Sequence, residues 1–267
     1  MEFKRIIKDH IEYRQQILKL AKSDLVKTYR GAALGWTWAI IKPAVTIFVY
    51  WFAFQIGLRA GKDVNGYSFF LWLIAGLVPW FYMGDMISQG TDAIRKYKHL
   101  VNKMKFPIST IPTFFSISKY ITNIILIGIV IVLFVFNGYF PDIYYLQIPF
   151  YILLTFIFFT AWSLFGSMLS SISKDFANLV KSFVTAVFWL SGILWNPETI
   201  TIRWLKSILM VNPVTYLVTG FRNCFINKIW FWQQPKELLC FIILTAIMIM
   251  LALWAYKKLR KEIPDVL

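Results

Sequence analysis

The sequence predicts an all-α polytopic membrane protein, and three observations carry that expectation. Hydrophobic residues make up 58% of the 267 residues and charged ones only 15%, whereas soluble chains hold about 45–50% apolar and about 25% charged residues. The apolar residues come in blocks near the roughly 20 that a helix needs to cross hydrocarbon with its own backbone satisfied. Lysine and arginine gather between the blocks and fall unequally on alternate loops, the pattern that sets membrane orientation.

Taken in order, residues 4–29 read as an amphipathic helix. Ile7, Ile11, Leu18, Ala21, Leu25 and Tyr29 keep the three-or-four spacing of one face, with Lys4, Lys8, Arg14, Lys19, Lys22 and Lys27 around it. Such a helix lies in the headgroup layer or packs on a partner. The segment has no short apolar core followed by small residues, so cleavage as a signal peptide is not expected. Six spans follow, at 38–58, 69–88, a third after Pro107 and Pro112 that is fully apolar only over 121–136, then 148–171, 179–195 and 238–256.

Counting Lys181, at the edge of the fifth span, with the loop before it, 19 Lys and Arg fall on one side and 7 on the other. The positive-inside rule therefore places both termini in the cytoplasm. Lys42 and Lys119 lie within spans, but near the cytoplasmic headgroups, where their stems can snorkel; Asp85 can reach water at the same level. Between the fifth and sixth spans, 202–211 and 214–227 are apolar but too short to cross, and Asn212-Pro213 separates them. A helical hairpin re-entering the outer leaflet is the expected form, with two helices lying flat as the alternative.

The cytoplasmic loop IRKYKHLVNKMKFP, residues 94–107, carries Ile94, Tyr97, Leu100, Val101 and Met104 as one helical stripe among basic residues. It can present knobs to a groove on another protein or rest on an anionic leaflet. Chemistry of the chain's own is hard to find. The nearest approach to a phosphate-binding loop, 57–63, has three residues where four belong and Asp63 in place of the metal-binding hydroxyl. Acidic residues are too scattered for a glycan-cleaving or glycan-transferring pair, and no ionisable group sits at mid-span for proton coupling. Two cysteines and two isolated histidines form no metal pattern. The basic residues interleave with apolar blocks instead of forming a soluble basic face, which argues against nucleic acid. A self-sufficient channel or a membrane-embedded glycan enzyme are the readings left from other classes.

The order of the basic amphipathic helix, Leu34-Gly35-Trp36-x-Trp38, Lys42-Pro43, Trp72-Leu-x-x-Gly76 and Pro79-Trp80-Phe81 resembles the ABC-2-type permeases that export cell-surface polysaccharides. Leu100-Val101-x-Lys103-x-x-Phe106-Pro107, Ile193-Leu194-Trp195 and Asn212-Pro213-x-x-Tyr216 fit the same pattern. The likeness covers the whole chain and is greatest to the teichoic-acid exporter permeases, with O-antigen and capsule exporters as near relatives; ABC-2 permeases for a drug or simpler lipid share most features. It implies one transmembrane domain over 1–267, made of an interface helix (1–31), a six-span bundle (32–256) and a cytoplasmic tail (257–267). It also implies a homodimer joined to two copies of a P-loop ATPase subunit. That partner would hold ATP and magnesium, this chain being no enzyme and holding no cofactor of its own.

The resemblance implies roles for particular residues. The helix of Ile94, Tyr97, Leu100, Val101 and Met104 would couple to the ATPase, with Tyr97 and Leu100 in first contact. A lipid-linked glycan would pass along aromatic rings that are sticky to sugar faces, for which Phe48, Trp51 and Phe52 of the first span and Phe188, Trp189 and Trp195 of the fifth are candidates. Lys27, Arg30 and Lys42 are candidates for the pyrophosphate of the carrier lipid.

Overall fold

The computed structural model describes residues 2–59, 61–104 and 106–263. Among these the chain is all-α, with short 3-10 and π turns between helices and a single bridge pairing Val64 with Tyr67. The helices are α1 (Glu2–Glu12), α2 (Arg14–Tyr29), α3 (Trp38–Trp51), α4 (Phe69–Ser88), α5 (Ala93–Lys96), α6 (Lys98–Met104), α7 (Ile111–Phe136), α8 (Ile148–Ile172), α9 (Lys174–Leu190), α10 (Arg203–Val211), α11 (Pro213–Arg222) and α12 (Pro235–Leu259).

The centre of the bundle is α4. Its residues are apolar all round, and an unbroken run from Leu71 to Trp80 is buried, as befits a helix with neighbours on every side. It packs on α7, α8, α9 and α11. Its start is capped by the Ser68 hydroxyl, which accepts from the Leu71 N–H. At the periphery lies α3, where Ala39 is the one buried residue; the run continues through a wider π turn over Phe52–Gly57.

Among the described residues, five helical runs are long and apolar enough to cross a membrane: Gly35–Gly57, Phe69–Asn102, Ile108–Phe136, Ile143–Ile172 and Pro235–Leu259. The fifth span expected at 179–195 is corrected by the structure. Its helix α9 runs from Lys174 to Leu190, 17 residues, or about 25 Å at 1.5 Å per residue. It ends early because Ser191-Gly192 breaks it, Gly192 taking φ +64° with Pro197 packed where a side chain would stand. Nonetheless α9 traverses the bundle beside α4. Lys181 pairs with Asp92 just beyond the end of α4, Phe188 meets Trp80 at 5.4 Å, and the Gly192 and Ile193 carbonyls join Arg222, which lies over Trp72 near the start of α4. α1 and the end of α12 come to one end of the bundle, where Arg5, Tyr13, Tyr256 and Arg260 line a common groove.

Other expectations are refined. The interface helix is two helices that meet at Tyr13. The face of α2 against α7 is Ile17, Ala21 and Asp24, whereas Ile7, Ile11 and Leu18 of the expected stripe are exposed. Lys119 and Asp85 do not reach separately for water but pair at 2.9 Å between α7 and α4. Between α9 and α12 the hairpin forms as α10 and α11, divided at Asn212, whose side chain accepts from the Val214 N–H. Its second arm is not flat: Val214–Val218 and Gly220–Arg222 are buried against α4, α8 and α12.

Candidate functional site

The most interconnected polar group lies at the end carrying both described terminal segments. Asp24 sits on α2 seven residues after Ile17 and three after Ala21, so helical spacing turns it onto the face that meets α7. It is only 3% exposed. Its carboxylate accepts from Ser118 Oγ of α7 at 2.6 Å, from Lys96 Nζ at 3.1 Å and from the Tyr97 hydroxyl. One side chain thus joins the interface helix, the α5–α6 segment and the third span. Burial raises the pKa of Asp24, but the Ser118 and Tyr97 hydrogen bonds and the Lys96 charge outweigh it and hold the carboxyl below its ordinary 3.8. The Tyr97 phenol is correspondingly pushed up, by burial first and then by the carboxylate it donates to.

The coupling stripe is not where a partner can touch it. Ile94, Tyr97, Leu100 and Val101 are buried in the chain's own core, and the Tyr97 ring meets Phe114 of α7 edge-on at 4.8 Å. The side chain of Met104 lies outside the described residues. Their apolar face finds shelter in the bundle, so the helix breaks at Tyr97 and turns Lys96, Lys98, His99 and Asn102 outward. Beside them Arg95, Lys98 and Lys174 line a basic cleft of about 560 Å³ with Asp92 at its wall.

Of the three pyrophosphate candidates, Lys42 lines a cleft among the described residues. About 370 Å³ lies between the end of α2, α3, α4 and α7, lined by Lys42, Thr46, Gln89, Thr122, Asn123 and the Lys119–Asp85 pair. Lys42 also lies 5.9 Å from the Trp38 ring centroid. Lys27 and Arg30 are exposed and stand outside it.

The aromatic candidates separate likewise. Phe48 and Trp51 of α3 and Phe52 just after it cluster, with centroids 6.0 and 6.2 Å from that of Phe48; Phe48 and Phe52 are exposed and Trp51 is half-buried against the core. Phe188 is buried against Tyr50 and Trp80, which removes it from any open passage of this chain. Trp189 is exposed, and its carbonyl accepts from the Trp195 indole at 2.7 Å.

Two residues escaped the sequence reading. Asp24 carried a signal in its register with Ile17 and Ala21. Arg222 carried another, as a lone cation inside the apolar stretch 214–227, where a buried charge must find partners. It is 2% exposed; Nη1 and Nη2 donate to the Gly192 and Ile193 carbonyls at 2.7 and 2.6 Å, and the guanidinium lies 3.4 Å from the Trp72 ring centroid. Gly76 is required beneath it, since an added Cβ would stand 2.5 Å from Arg222 Nη2.

The chain is 23% identical over 222 residues to the O-antigen export system permease protein RfbA of Myxococcus xanthus, covering 83% of this chain and 84% of the relative. Two RfbA permease proteins of Klebsiella pneumoniae are 23% and 22% identical over 212 and 252 residues, covering 79% and 94% of this chain and 80% and 94% of the relatives. Residues 15–226, from the interface helix through the buried arm of the hairpin, match the family described as ABC-2 type transporter, and the chain belongs to that family.

Proposed function

We propose that this chain is the permease subunit of an ATP-driven exporter, working as a homodimer with two copies of a separate P-loop ATPase. It moves a lipid-linked cell-surface glycan from the inner to the outer face of the cell membrane. The basic end and both termini face the cytoplasm, following the 19-to-7 distribution of Lys and Arg. Family membership and the Asp24 junction together support this reading. ATP and magnesium belong to the partner; what this chain supplies is the path and the mechanical connection.

In this mechanism the ATPase meets the outward face of α5–α6, through Lys98, His99 and Asn102. Closure of the ATPase shifts that segment as a rigid body. Asp24 then carries the shift to α2 and, through Ser118, to α7. Coupling of this kind requires contacts that differ between the two states of the transporter. The Lys42 cleft receives the carrier's pyrophosphate at the cytoplasmic level, and Phe48, Trp51, Phe52 and Trp189 offer ring faces to the glycan where protomers meet.

Teichoic acid is the substrate that the motif order favours; an O-antigen polysaccharide is the second reading, favoured by the names of the relatives. Depleting the chain in its own cells and fractionating the glycans separates them. Internal accumulation of a phosphate-rich lipid-linked polymer supports the first, and of a phosphate-poor polysaccharide the second. Unchanged surface and internal glycans contradict both. Replacing Phe48, Trp51 and Phe52 together by Leu should lower export with the subunit assembly intact; unchanged export removes them from the path.

A further inference from the structure

The end of the bundle opposite the Asp24 junction holds a cleft for which the mechanism above has no use. About 290 Å³ of space lies between the loop after α3, the segment after α9 and the turn after α11, at the lower edge of the roughly 300–1,000 Å³ range of small-ligand sites. Its wall carries Asn65, Asn196, Asn223, Asn227 and Gln234. Neither a carboxylate nor a lysine is among its described lining residues, and Arg222 is the one charged group there.

Four of the amides form a chain across segments distant in sequence. Asn65 Nδ2 donates to Asn227 Oδ1 at 3.0 Å, Asn227 Nδ2 to Asn223 Oδ1 at 2.9 Å, and Asn223 Nδ2 to Gln234 Oε1 at 3.0 Å. Each primary amide has two N–H donors and an oxygen with two lone pairs. A chain of this kind uses part of each group; Asn223 is buried at its centre, and Asn65, Asn227 and Gln234, which are exposed or half-buried, leave donors and acceptors side by side along the cleft. That alternation matches a hydroxyl, which both donates and accepts, better than an anion that only accepts or an ammonium that only donates. Arg222 forms the floor, its guanidinium already engaged by the Gly192 and Ile193 carbonyls and laid over Trp72.

We propose that this cleft binds a hydroxyl-rich unit, a sugar ring or an alditol, at the far end of the bundle. The identity of the polymer that delivers the unit rests on the export reading; the amide geometry stands without it. In an exporter, the site grips the chain as it emerges and biases it against sliding back.

The test uses the full chain in lipid nanodiscs, free of sugar-headed detergent, with ribitol, glycerol and the methyl glycosides of glucose and N-acetylglucosamine as probes. Saturation-transfer NMR should detect binding of at least one probe. Asn227→Leu, and Asn65→Gly, which removes the amide while keeping the left-handed backbone of φ +53°, should each weaken it about three- to tenfold, the worth of one neutral hydrogen bond. No transfer to any probe, or transfer unchanged in both variants, overturns the proposal. Export in cells is measured in parallel. Intact export without probe binding removes the cleft alone. Probe binding in a chain that associates with no ATPase removes the export reading and keeps the cleft.

Discussion

At Asp24 burial and hydrogen bonding pull the carboxyl in opposite directions, and hydrogen bonding with the Lys96 charge prevails. Because the folded pKa lies below the ordinary 3.8, the carboxylate's contribution is complete above that value and is lost as pH falls through the folded pKa. Asp24→Asn should therefore cost about 1.5–3 kcal/mol at pH 7, the range for hydrogen bonds to a charged group. Thermal unfolding followed by tryptophan fluorescence should show this deficit at neutral pH and a shrinking one well below pH 4; a deficit independent of pH would contradict the assignment. Gly76 makes a second test. Gly76→Ala drives a methyl to 2.5 Å from a guanidinium pinned on two carbonyls, and should destabilise the chain by about 1–3 kcal/mol, as overpacking does. An unshifted melting temperature would mean that Arg222 is free to move. Neither residue was legible through apolar periodicity, which registers the hydrophobic side chains of a helix and passes over the one polar group on their face.

The α5–α6 segment shows what an amphipathic pattern does and does not contain. Ile94, Tyr97, Leu100 and Val101 form one buried face, as their spacing predicts. A period says only that the face leaves water, and the chain's own bundle took the place expected of a partner. Two substitutions separate the roles. Leu100 is 4% exposed, so Leu100→Asp buries a charge and should unfold or strongly destabilise the chain by itself. Lys98 is exposed; Lys98→Glu should change stability by no more than about 0.5 kcal/mol while weakening co-purification with the ATPase. A stable Leu100→Asp chain, or undiminished co-purification of Lys98→Glu, would reverse these assignments. In α9 the apolar run continues to Trp195 and hides the Ser191-Gly192 stop, because an apolar pattern does not register the left-handed backbone that Gly192 adopts.

For the whole molecule, the class was visible in the sequence, and so were five of the six expected spans, each matched by a helix long and apolar enough to cross; α9, at the place of the fifth, is shorter than expected. What was hidden depends on which helices become neighbours. Lys119 and Asp85 are 34 residues apart in sequence and pair only because α7 lies along α4. The amide cleft, likewise, is assembled from loops far apart in the chain. Orientation is open to direct test: with both native cysteines replaced, a cysteine at Lys98 should react only with reagent on the cytoplasmic side and one at Asn65 only from outside. Equal labelling from one side would overturn the topology. The central claim, a permease driven by a separate ATPase, is tested most directly by native mass spectrometry of the complex purified in mild detergent. The account predicts two copies of this chain with two copies of a P-loop ATPase; this chain alone, reproducibly across several detergents, would contradict it.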